Sequence, residues 1–135
     1  MTQPADRTQA CGAAEARTRL RQAELYLEVA RVVLSEEAAE HATVATGNAV
    51  LAAIAAADAI ACASAGARYR ANDHRRAAEY LEQVTGDVTL AGLLRDVIDL
   101  KDVGHYGLTN VTVSRAKSAV RKAKMLLTAA RERVR

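Results

Sequence analysis

Asn48-Ala49-Val50-Leu51-Ala52-Ala53-Ile54-Ala55-Ala56-Ala57-Asp58-Ala59-Ile60 decides how this chain folds. Nothing in the run breaks a helix, and its apolar side chains surround the helical axis instead of forming one stripe. A helix that is apolar all round has to be covered on every side, either by protein or by lipid. From Ala42 to Ala67 the single charged residue is Asp58, and a stretch of that length could cross a bilayer, which takes about 20 residues. Its contents argue against lipid. Thr43, Thr46, Gly47, Asn48 and Ser64 interrupt it, and an Asp at bilayer depth costs about 2.5 to 3.5 kcal/mol even on insertion scales. The expectation is a buried central helix, with no membrane partner.

Outward from this run, Gly66 supplies a residue suited to the left-handed conformation that ends helices. On the other side, Ser35-Glu36-Glu37 offers a capping oxygen and two carboxylates for a helix start. The central helix is therefore expected over 36–65, after a tight turn. Before it, Ala13, Ala16, Leu20, Ala23, Leu27, Ala30 and Leu34 recur at spacings of three and four, predicting an amphipathic helix over 13–34. Beyond Gly66 comes a basic loop, Gly66 to Asn72, in which Arg68, Tyr69 and Arg70 are available to a ligand. Asp73 caps a helix expected over 74–84, and Thr85-Gly86-Asp87 ends it and starts another, over 88–103, with Gly104 as terminator. Thr112 or Ser114 caps a last helix over 115–134. No alternating strand pattern is present.

Residues 1–12, with Pro4 and Gly12, read as a flexible N-terminal tail, and 13–135 as a single all-α domain. Short loops make neighbouring helices antiparallel, so the expected architecture is an up-and-down bundle of four or five helices. Half of the chain is apolar, yet it has no Phe or Trp and only four Tyr. Closely packed, smooth helices follow from that composition. Cys11 and Cys62 read as free thiols of a reducing, cytoplasmic setting, and no secretory signal pattern follows Met1.

The net charge of +3 is unevenly divided: residues 1–114 hold 11 Lys/Arg against 15 Asp/Glu, and 115–135 hold 8 against 1. A basic C-terminal helix on a mildly acidic body points either to an anionic partner or to a solvated face. Arg115, Lys117, Arg121, Lys122 and Lys124 are its candidate RNA-binding residues, with Arg68 and Arg70 as a second contact.

Chemistry concentrates in Leu100-Lys101-Asp102-Val103-Gly104-His105-Tyr106-Gly107. Lys101 and His105, four apart on a helix or its last turn, project to one side and can converge on one anion. Asp102 can orient the imidazole, and Tyr106 offers a ring on which a base can stack. Imidazole moves protons near neutral pH, and a neighbouring cation stabilises charge building on a phosphate. The plainer reading is a helix end whose Lys and His meet the negative dipole. Asp58 is either a structural carboxylate tied to another helix or a residue supporting the Lys101/His105 site from beneath. His41 and His74 read as surface residues. No metal-binding pattern, phosphate loop or nucleophile elbow occurs, so neither a metal nor another cofactor is expected.

The Ala-rich helix with its Asp58, then Asp73-His74-Arg75-Arg76-Ala77-Ala78, then Leu100 to Gly107, resembles the small actinobacterial-type HEPN domains over about residues 13–134. That resemblance implies an antiparallel bundle of four long helices plus a short one. It also implies a homodimer in which two motif copies share a cleft, and in many members a metal-independent endoribonuclease that serves as the toxin of a toxin–antitoxin pair, opposed by a nucleotidyltransferase-type antitoxin. The family motif is an Arg, a polar residue and, after four to six residues, a His. His105 matches the His and Asp102 the polar residue. The Arg position is the departure: the nearest base is Lys101, with only three residues between it and the His, and Lys cannot make the planar two-pronged phosphate contact of Arg.

Two functions follow. In the first, Lys101, Asp102 and His105 are catalytic, with His105 moving a proton at the ribose 2′-oxygen or the leaving 5′-oxygen and Lys101 neutralising the phosphate. In the second, the chain is a non-catalytic HEPN-like module that binds RNA, a nucleotide or a protein. A structural helical adaptor is the more distant alternative.

Overall fold

A computed structural model describes residues 7–135. Six helices and one short two-stranded ribbon follow the order β1 (Thr8–Ala10), α1 (Ala13–Leu34), α2 (Ala39–Ala65), β2 (Ala67–Tyr69), α3 (His74–Thr85), α4 (Val88–Ile98), α5 (Lys101–Tyr106) and α6 (Val113–Arg133). The protein is mostly helical, as its composition predicts.

α2 is the centre. It packs against α1, α6, α5, α4, α3 and β2, and Ala45, Ala49, Val50, Ala52, Ala53, Ala56, Ala59 and Ile60 are all buried. By length and composition α2 could cross a membrane, but here its faces are covered by the other helices. Alanines let those neighbours come close, so packing must be fitted without large side chains to fill gaps. α1 buries Ala16, Ala23, Leu27, Ala30 and Leu34, five members of the expected seam. α6 buries Ala116, Ala119, Val120, Ala123, Leu126, Leu127, Ala129 and Ala130.

The directions of the long helices follow simple alternation. Arg17 Nη1 donates to the carbonyl of Arg135 (3.2 Å), and Arg131 pairs with Glu24, so α1 and α6 run oppositely. At the other end, the Thr43 hydroxyl accepts from Val111 N (2.8 Å) and Lys117 pairs with Glu37. The starts of α2 and α6 thus lie together, and these two helices run in the same direction. The α3–α4 hairpin and α5 return the chain between them.

Three boundaries differ from expectation for local reasons. α2 begins at Ala39 instead of 36. The Ser35 hydroxyl is used by the preceding helix, donating to Val32 O (2.6 Å), and Glu37 turns the chain with φ of 52°. The expected 88–103 helix ends at Ile98; the chain turns at Asp99 and Leu100, and Gly104 lies inside a separate α5. The break lets Leu100 reach the core. The last helix starts at Val113, two residues early, capped by Thr112.

The N-terminal tail and the free thiols are both corrected. Residues 1–6 of the expected tail lie outside the described residues, but 7–12 are held. β1 pairs antiparallel with β2 in the register Thr8↔Tyr69, Gln9↔Arg68, Ala10↔Ala67. Backbone bonds Cys11 N to Gly66 O (2.9 Å) and Arg70 N to Arg7 O (3.0 Å) extend the ribbon at both ends. Cys11 and Cys62 form a disulfide across 51 residues of chain, so the thiol premise for a reducing compartment does not hold. A three-residue ribbon is marginal by itself. The covalent link to the last turns of α2 is what keeps it docked.

Removing this link by Cys11→Ser with Cys62→Ser is expected to lower stability by about 2 to 4 kcal/mol. Denaturant unfolding of oxidised wild type and the double variant checks the loss, and amide exchange should rise first at Arg68 and Tyr69.

Candidate functional site

α5 exists in its position because two glycines touch. A Cβ on Gly104 would lie 3.0 Å from Gly47 N and 3.1 Å from Gly47 Cα, and one on Gly47 would lie 3.0 Å from Gly104 O. The backbones of α2 and α5 are in direct contact there, leaving no room for a side chain. Beside this crossing, His105 Nε2 lies 3.1 Å from Gly47 O. A carbonyl only accepts, so Nε2 carries the proton and donates, leaving Nδ1 as the free lone pair. Tyr106 is 76% exposed, and its ring centroid is 5.9 Å from that of His105. Asp102 is exposed, and among the described residues it makes no hydrogen bond to His105.

Lys101 goes elsewhere. It lines a cavity of about 240 Å³ together with Arg19, Asp58, Arg68, Tyr69 and Arg70, and His105 is not among the walls. The cavity thus takes in Lys101 and leaves out His105, four residues further along α5. Nor does Asp58 lie beneath His105. It is eleven residues from Gly47 on α2, about 16 Å along the axis at 1.5 Å per residue.

The Asp58 side chain is 10% exposed. Its Oδ2 accepts from Arg19 Nε (3.0 Å) and Arg68 Nη1 (2.9 Å), with Arg19 Nη2 at 2.9 Å. Each guanidinium is in turn held by an amide: Arg19 Nη1 donates to Gln22 Oε1 (2.6 Å) and Arg68 Nε to Gln9 Oε1 (3.0 Å). Asp58 is thus the structural carboxylate of the two alternatives, tying α1, α2 and β2 together. Burial pushes its carboxyl above the usual value, outweighing the opposing pull of Arg19 and Arg68. Desolvation can exceed Coulombic gain in a buried pair.

Arg19 was not marked as a site residue by its own helix pattern. A signal existed: the lone acid in an apolar run needs a cation from a neighbouring element. His74, at the N-terminus of α3, also lines the cavity, whereas the sequence places it on the surface.

Two of the five candidate cations of the basic helix are answered from within the fold. Lys117 Nζ lies 2.8 Å from Glu37 Oε1, and Lys122 Nζ lies 2.9 Å from Asp96 Oδ2. The hydrogen bond from Lys117 holds the Glu37 carboxyl below the usual range. Arg115 shares a groove with Asp96 and Asp99. Arg115, Arg121 and Lys124 are exposed, but they do not form an uninterrupted cationic stripe. Among the described residues no three His, Cys, Asp or Glu side chains are grouped as a metal would require. No protein-family model matches the chain, and no curated protein is significantly similar to it.

Gly104→Ala is expected to destabilise the protein. The helix-propensity gain, about 1 kcal/mol, is outweighed by overpacking against backbone, about 1 to 3 kcal/mol. Urea unfolding measures the net loss, and the His105 ring resonances should shift as α5 moves off Gly47.

Asp58 generates a pH dependence of definite sign. Its native value lies above the unfolded one, 3.8, so its contribution to stability is complete below 3.8 and is lost as pH rises through the native value. Asp58→Asn should gain stability relative to wild type as pH is raised from about 4 toward neutrality. If wild type gains instead, the guanidiniums outweigh burial.

Proposed function

We propose that this chain is a HEPN-like helical module that binds RNA without cleaving it. The observation that carries the reading is the division of labour along α5. Lys101 joins Arg68, Arg70 and His74 around the cavity, whereas His105 is tied through Nε2 to the backbone of α2. A general acid or base must reach the proton it moves, at the phosphate that the cations neutralise. Here the imidazole lies outside the cavity that the cations line, and the base nearest to where the family has its Arg is a point-charge Lys.

Phosphates would be met by Arg70, which is exposed, by Lys101, and by Arg75 and Arg95 in the adjoining groove. The exposed Tyr106 ring is free to stack on a base. Arg68 is engaged with Asp58 and Gln9, so it contributes field more than direct contact. Of the C-terminal cations, Arg121 and Lys124 add long-range attraction.

Fluorescence polarisation with a labelled single-stranded RNA of about a dozen nucleotides, in EDTA, tests this. The expected outcome is binding whose logarithm falls with log salt at roughly −0.7 per phosphate neutralised. Arg70→Ala and Lys101→Ala should each weaken binding across sequences and reduce the slope by about one contact. The RNA should remain full length for hours. Affinity that is flat with salt overturns RNA binding. Cleavage that disappears in His105→Ala replaces this reading with the ribonuclease one.

A further inference from the structure

We propose that the cavity between α2, β2, α3 and α4 is a site for a small organic phosphomonoester with a compact, flat, apolar body. It shares Arg70 and Lys101 with the RNA reading and goes beyond it in the apolar part of the same cavity, which the RNA reading does not use.

The cavity walls are of two kinds. Ile54 and Ala57 of α2, Leu81 of α3, and Leu94 and Ile98 of α4 are apolar. Nothing there can hold water by hydrogen bonds, so an apolar surface is the occupant that gains most from filling it. The charged walls are Arg19, Arg68, Arg70 and Lys101, with Asp58 and Asp73 the acids among them. Four permanent cations face two carboxylates, a surplus of two positive charges. A phosphomonoester brings close to two negative charges at neutral pH, whereas a carboxylate would balance half of the surplus.

The two acids are already committed. Asp58 receives both guanidiniums on a single oxygen, Oδ2. Asp73 caps α3, accepting from Arg76 N (3.2 Å). The start of α3 therefore opens toward the cavity through Asn72, Asp73 and His74, adding the positive end of a 12-residue helix to the charged walls.

An orphaned hydroxyl marks the same place. Tyr69 lines the cavity, and its Oη is buried with no hydrogen-bond partner among the described residues. The neighbouring Tyr80, whose ring centroid is 6.2 Å away, shows the contrast: its Oη donates to Ala67 O at 2.6 Å. Buried polar groups find partners in native proteins, and an exception calls for an explanation. The Oη exposes no surface to the open cavity, so a phosphate oxygen supplies one by drawing the Tyr69 ring toward the cations. Size agrees as well. An apolar cavity of about 150 Å³ holds benzene, so about 240 Å³ accommodates a ring and its head group.

Phenyl phosphate is the probe, titrated calorimetrically into the full-length oxidised protein. One molecule per chain should bind, at least about tenfold more tightly than inorganic phosphate or benzyl alcohol, because each of these satisfies one kind of wall alone. Tyr69→Phe should keep the fold and its melting temperature while weakening phenyl phosphate severalfold. Ala57→Phe, which fills the cavity, should abolish phenyl phosphate binding yet leave RNA affinity in place. Competition by a 5′-phosphorylated oligonucleotide but not its 5′-hydroxyl form would assign the head group to an RNA end; no competition by either would assign it to a free small molecule. Phenyl phosphate that binds no better than inorganic phosphate, or equally well to Tyr69→Phe, overturns the proposal.

Discussion

Asp58 is the one charge inside the apolar run from 42 to 67, and the arrangement of the molecule around α2 depends on how it is answered. An ionised carboxylate in that place is costly unless cations come to it. Arg19 comes from α1 and Arg68 from β2, so a single oxygen fixes the relative positions of three elements. The consequences spread from there. Arg68 is on a strand too short to stand alone; it is backed by β1, whose Gln9 steadies its guanidinium, and β1 is fastened by Cys11 to Cys62 only four residues beyond Asp58. Charge, ribbon and disulfide form one mechanical unit at the end of α2.

The other end of α2 is governed by a different constraint, the absence of side chains. Gly47 and Gly104 bring two backbones into contact, and that contact sets where α5 ends and where the His105 ring falls. A residue with any Cβ at either position would displace the ring from Gly47 O. The same smallness along Ala49, Ala52, Ala53 and Ala56 lets α1 and α6 close on α2 from both sides. Fold and candidate site thus share a cause: small residues on α2 draw helices in, and the chemistry-bearing residues are carried with them.

What was legible in the sequence was what local periodicity encodes. The span of α1, the end of α2 at Gly66, the capping of α3 by Asp73 and the burial of Ala52 all follow from residues within a turn or two of the feature. What was not legible depended on distant parts of the chain. Thr8–Ala10 becomes a strand because Ala67–Tyr69 lies alongside it, and Cys11 meets Cys62 because the ribbon carries it there. Leu100 breaks a helix that its own neighbours would continue, since its side chain reaches the core.

Charge illustrates the same limit at the candidate site. Counted along the sequence, residues 115–135 are the basic part and everything before them is acidic on balance. Folding redistributes this. Lys117, Lys122 and Arg131 are met by Glu37, Asp96 and Glu24 from elements far away in the chain, and ion pairs at the surface leave little residual field. The cations that remain concentrated belong to the nominally acidic body: Arg19, Arg68, Arg70 and Lys101, collected from α1, β2, the following loop and α5 around one cavity. Linear net charge therefore does not show where cations gather in space. The local surplus arises because one buried acid recruits two arginines, and two positive charges meeting one negative leave a positive remainder facing the space beside them.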